Sequence, residues 1–156
     1  MSRLIFILFG LIVTGCQTNE SFIDPIRPEF ENVSFTVVEK QLVTQPELPK
    51  HVQMLVTQWF DQQVKIDGFD GEMIFTVSDY GEEVSSTSDG KRVEISMSFN
   101  VILKMPSLSQ TKMIEGYVSS YGTLSGNFSL AEFDTVIQNT QSDLVLRLSR
   151  DLKSKI

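Results

Sequence analysis

Residues 93–103 alternate, with Val93, Ile95, Met97, Phe99, Val101 and Leu103 set against Glu94, Ser96, Ser98 and Asn100. A period of two puts these six apolar side chains on one face of a strand and the polar ones on the other. One face must be buried and the other wet. The chain is therefore committed to a sheet that packs something apolar on one side and meets water on the other.

The rest of the chain supplies the partners of that strand. Val33-Ser34-Phe35-Thr36-Val37-Val38 also alternates and reads as the first strand. After a connection holding Pro46 and Pro49, residues 49–65 place Val52, Leu55, Val56, Trp59 and Phe60 at i, i+3, i+4, i+7 and i+8, continued by Val64. That spacing makes one apolar stripe on a helix, with Pro49 in the first turn, where its missing N–H has no partner to lose. Gly68 and Gly71 stop it. Residues 72–77 form a second strand with Met73, Phe75 and Val77 on one face. A polar loop, 78–89, then ends in the turn signal Asp89-Gly90. Residues 113–121 give a fourth strand, with Met113, Tyr117 and Tyr121 on one side and Ile114, Gly116 and Val118 on the other.

Ser129-Leu130-Ala131-Glu132 is a capping box, and Phe128 with Phe133 completes a hydrophobic staple, so two signals start a helix at one residue. Leu130, Phe133, Ile137, Leu144, Leu148 and Leu152 carry its apolar stripe over residues 130–153. Arg147, Arg150, Lys153 and Lys155 suit the negative end of the helix dipole. The order is β-α-β-β-β-α. It predicts an α+β fold: a mostly antiparallel four-stranded sheet with two helices packed on one face.

The N-terminus sets the location. Arg3 precedes an apolar run, residues 4–13, broken only by Gly10, and Val13-Thr14-Gly15-Cys16 follows. This is the layout of a secretory signal. About ten apolar residues are too few to span a bilayer, which takes roughly 20. Val13-Thr14-Gly15-Cys16 closely resembles the bacterial lipoprotein signal of an aliphatic residue, two small residues and a cysteine. The resemblance implies cleavage before Cys16, a diacylglycerol on its sulfur and an acylated N-terminus. Residues 1–15 are then signal peptide, 16–32 a lipidated N-terminus and tether with Pro25 and Pro28, and 33–156 the α+β domain. Acyl chains contribute about 0.8 kcal/mol per buried CH₂, so two or three of them hold a protein on the membrane. Gln17 stands where aspartate is the inner-membrane retention signal, and the analogy favours the periplasmic face of the outer membrane. Cys16 is the chain's single cysteine, which leaves no disulfide for one copy.

With 13 Lys+Arg against 20 Asp+Glu the net charge is −7, and loss of Arg3 makes it more negative. Nucleic acid is excluded as a partner, as is broad docking on anionic headgroups. No chemistry converges. His51 is the only histidine and lies in the first turn of a predicted helix, which excludes a Cys/His pair or a histidine-rich zinc site. Asp67, Asp70 and Glu72 lack the ligand spacing of a calcium loop and fit a helix-to-strand turn. Asp79, Glu82 and Glu83 sit in a loop with no aromatic sugar platform nearby. There is no G-x-S-x-G elbow and no phosphate loop. The expectation is a non-enzymatic protein without metal or cofactor. Trp59, Tyr117 and Tyr121 are the candidates for a partner or lipid groove.

The element order behind the signal resembles the LPS-assembly lipoprotein family. The residues that carry this are the alternating strand 93–103, Glu115-Gly116-Tyr117 to Ser120-Tyr121, and the helix start Ser129 to Asp134. Members sit inside an outer-membrane β-barrel and help deliver lipopolysaccharide to the cell surface. The resemblance implies an envelope protein partner, a β-barrel. Uncharacterised periplasmic lipoproteins, and auxiliary lipoproteins of lipid-trafficking ABC systems, share the general shape, with a transporter as partner or lipid as ligand.

Overall fold

The computed structural model describes residues 29–156. The signal, Cys16 and the tether up to Pro28 lie outside the described residues. From Glu29 the elements run β1 (Val33–Phe35), β2 (Glu39–Thr44), α1 (Lys50–Gln63), β3 (Val64–Ile66), β4 (Glu72–Thr87), β5 (Gly90–Met105), a 3-10 turn at Pro106–Leu108, β6 (Gln110–Ser125) and α2 (Leu130–Lys155).

The main sheet has four strands in the order β2-β4-β5-β6. β4, β5 and β6 form an antiparallel meander, while β2 lies parallel to β4, joined to it through α1. Both helices pack on the same face. The α+β fold with β-α-β-β-β-α order therefore stands.

One strand of that order is not the expected one. Val33–Phe35 pairs with β3 in a separate two-stranded parallel sheet, and the first strand of the main sheet is Glu39–Thr44. That stretch read as part of a connection, because an edge strand with one covered face mixes charged and apolar side chains and shows no clean period. Val33, Phe35 and Val37 are nonetheless buried together, which is what their alternation required. α1 gives way to β3 at Val64, short of the expected end at Lys65 and before either glycine.

The expected polar loop at 78–89 is mostly strand. β4 runs on to Thr87 through an irregularity between Ser78 and Gly81, with Asp79 at φ 53°, and a two-residue loop of Ser88 and Asp89 leads into β5. Beyond the bulge no β2 lies alongside and no α1 lies above. Both faces are wet there, so no apolar period marks the strand.

The core lies between helices and sheet. Val52, Leu55, Val56, Trp59 and Phe60 of α1 are all buried, as their spacing required. Trp59 meets Phe75 edge-on at 5.3 Å, and Phe75 stacks on Phe99 at 5.9 Å. Leu144, Leu148 and Leu152 of α2 close the other side. The capping box at Ser129 and Glu132 is formed, and the Phe128 and Phe133 rings stack at 6.1 Å. Leu130 departs from the predicted stripe, because it is exposed at the tip of α2, beyond the reach of α1.

Among the described residues, no helix is long and apolar enough to cross a membrane.

Candidate functional site

Strand alternation decides which side of the sheet each residue of β6 meets. Ile114, Val118, Ser120 and Leu124 point toward the helices and are buried. Met113, Tyr117 and Tyr121 point the other way, onto a face that no helix among the described residues covers, and are 56%, 65% and 60% exposed. Residues four apart along a strand are about 13 Å apart. The three side chains therefore form a row roughly 26 Å long on an edge strand.

The neighbouring strands extend that row into a surface. Met113 pairs with Ile102, which pairs with Ile74, so three apolar side chains line up across the sheet. Tyr117 lies opposite Ser98, and Tyr121 opposite Glu94. The Arg92 guanidinium carbon sits 4.3 Å from the Tyr121 ring centroid, while Arg92 Nη2 is 3.3 Å from Glu94 Oε2. This cation–π contact holds one face of the ring. Between the apolar row and the tyrosines, Asn100 Nδ2 donates to Glu115 Oε1 at 3.0 Å.

Of the three residues expected to share a groove, the structure brings two together and parts the third from them. Trp59 is fully buried on the helical side, and its indole N–H donates to the Glu31 carbonyl at 3.3 Å. The sheet itself separates it from Tyr117 and Tyr121. Arg92, Ile74 and Ile102 join the surface only through strand register, for which no local signal exists in the sequence.

The acidic groups do not converge on a reacting centre. Asp70 Oδ2 accepts from the Ser107 amide at 2.9 Å and Glu72 pairs with Lys104 at 2.6 Å, while Asp67 is held through its backbone N–H, which donates to the Phe35 carbonyl. Each fastens a turn or a strand end. Glu82 and Glu83 are consecutive strand residues and point to opposite faces. Asp79 accepts from its neighbour Ser78. His51 is half-buried in the first turn of α1. Among the described residues no cluster of His, Cys, Asp and Glu could hold a metal ion.

Two links between side chains cross from α2 to the sheet by hydrogen bonds. Asp143 accepts from the Ser120 hydroxyl and from Arg147 Nε, both at 2.6 Å. Burial works to raise its carboxyl, and these two donors more than offset that and hold it below the ordinary value. Gln141 Nε2 donates to the Tyr80 hydroxyl, which in turn donates to Glu82. Burial, with Glu82 beside it, pushes the Tyr80 phenol up to about 12. Both links are structural, since neither opens onto the row of exposed tyrosines.

No family model matches the chain, and no curated protein matches it. Among solved structures it is similar to a minor lipoprotein from Acinetobacter baumannii, with a TM-score of 0.53 at 7% identity, covering 76% of this chain and 93% of that one. Weaker superpositions are found with rare lipoprotein B from Shewanella oneidensis (TM-score 0.46, 12% identity, 75% of this chain and 95% of that one). The same holds for an uncharacterized lipoprotein B from Nitrosomonas europaea (TM-score 0.45, 11% identity, 83% and 90%). At 7% identity, the likeness to the Acinetobacter lipoprotein is one of fold.

Proposed function

We propose that the chain is a lipid-anchored, non-catalytic lipoprotein of the bacterial envelope, held on the membrane through Cys16, which assists outer-membrane or lipopolysaccharide assembly by binding a protein partner. The observation that carries this reading is the row of Met113, Tyr117 and Tyr121 on the uncovered face of the sheet. Apolar and aromatic side chains left together on a wet face mark contact surfaces, and tyrosine combines a large apolar area with a polar tip suited to an interface. The lipoprotein signal in the sequence and the fold shared with a lipoprotein support the setting. A lipid-transfer module is less favoured, since the space between helices and sheet is filled by Trp59, Phe75, Phe99 and Leu148.

The test is affinity purification of the tagged, lipidated protein from gently solubilised membranes, with co-purifying proteins identified by mass spectrometry. Recovery of an outer-membrane β-barrel is the expected result. Transporter subunits would move the protein to the auxiliary class, and lipid without any protein would overturn the reading. Cys16→Ala should shift the protein out of the membrane fraction, and unchanged retention would refute the anchor.

A further inference from the structure

We propose that β6 is a docking edge, along which a partner protein adds one extended strand of its own beside Gln110–Ser125. This rests on the reading that the chain works through a protein partner, and it names how that partner is held.

The two sides of the main sheet end differently. One side is β2, six residues that include Glu39 and Lys40, after which the chain turns away through Pro46 and Pro49. Where β2 stops, the far half of β4 is the edge, and it carries Glu82 and Glu83. Short, charged edges are how folded proteins discourage strand pairing. β6 forms the other side with 16 residues, no proline, and Lys112 and Glu115 as its only charged side chains. That edge is long and sparsely charged, with Lys155 of α2 reaching the Glu115 carbonyl on it.

The direction of its backbone groups follows from the register. The pair Thr87 and Gly90 closes a two-residue hairpin loop, so those residues exchange hydrogen bonds and the even-numbered residues of β5 face β4. Odd residues of β5 then bond to β6, and their partners there are Ile114, Gly116, Val118 and Ser120. The odd residues of β6 consequently turn N–H and C=O away from the sheet. Glu115 is one of them, and its carbonyl accepts from Lys155 Nζ at 2.9 Å instead of from a strand. Only another extended backbone matches such a row of donors and acceptors.

α2 restricts which strand can come. It lies directly along β6: a Cβ on Gly122 would meet Thr140 and Val136, Ser120 bonds Asp143, and a Cβ on Gly116 would meet Asp151. A second copy pairing antiparallel through its own β6 would bring its α2 onto the same face. The two helices would lie about one strand spacing apart, about 5 Å, where packed helices need 8–10 Å. α2 thus disfavours an antiparallel second copy, and the occupant assigned to the edge is a strand of a different protein, bare on the side where α2 lies. On the other side it presents apolar residues at alternate positions to Met113, Tyr117 and Tyr121.

The experiment places photo-reactive benzoylphenylalanine at Met113, Tyr117 or Tyr121, and as a control at Val43 on the opposite edge, in the full-length lipidated protein in its own cells. Cross-linked peptides are sequenced by mass spectrometry. The expected result is that the β6 positions label alternate residues of one segment of one protein and Val43 does not. Ser119→Pro, which removes an outward N–H and leaves the β5 ladder intact, should lower the yield about tenfold, while Ser119→Ala should not. If Ser119→Pro fails to fold, Thr123→Pro serves the same purpose. A partner captured equally in the proline variants overturns strand addition and leaves the partner reading standing. Labelling of a second copy also overturns it, and absence of any protein adduct overturns both.

Discussion

Gly116 and Gly122 are where the long helix comes down on the sheet. A Cβ at Gly116 would run into the Phe99 ring and lie 2.6 Å from Asp151 Oδ2. Phe99 is buried and stacked on Phe75, so it has nowhere to move. Gly116→Ala should therefore cost about 1–3 kcal/mol, the usual penalty for overpacking, read as a lower midpoint in urea denaturation. Tyr80 has a pH signature. Its folded pKa of about 12 lies above the ordinary 10, so its contribution is complete below pH 10 and is lost as pH rises through about 12. Alkaline denaturation should show a shallower loss of stability across that interval for Tyr80→Phe than for the native chain. At this scale the sequence could name aromatic residues and not their fates. Trp59 and Tyr117 both sit at regular spacings, yet one is fully buried and the other the most exposed of the three groove candidates.

The two helices differ in how their ends are fastened. α2 begins with a cap written in adjacent residues, Ser129 to Glu132, and its start was legible to the residue. α1 has no basic residue in its last turn. The cation comes instead from β2, where Lys40 Nζ donates to the carbonyl oxygens of Phe60 at 2.8 Å and Val64 at 2.7 Å and sits 4.8 Å from the Phe60 ring centroid. Replacement by methionine, Lys40→Met, keeps the apolar stem and leaves both carbonyls without that donor. It should lower thermal stability by about 1–2 kcal/mol, with far-UV circular dichroism at low temperature unchanged. A contact across 20 residues of chain leaves no local pattern to read. The far half of β4 shows the same limit for strands, because hydrogen bonds to β5 define it and no apolar face repeats along it.

For the molecule as a whole, the uncovered sheet face and the core answer different demands. Tyr117→Ser with Tyr121→Ser should change stability by no more than about 1 kcal/mol, as exposed positions usually do, while co-purification of the envelope partner is lost. Equal retention of the partner would move the contact surface elsewhere. The sequence by itself determined the α+β class, both helices and their buried stripes, and the two faces of β5 and β6. Hydrophobic period and capping are local, and each strand or helix carries them in its own residues. Only the tertiary structure decided that Glu39–Thr44 rather than Val33–Phe35 enters the main sheet, and that Trp59 lies on the opposite side from Tyr117 and Tyr121. It also left β6 as the long, sparsely charged edge. Those are matters of which strands pair and which face a helix covers, and pairing energies between residues far apart in the chain settle them.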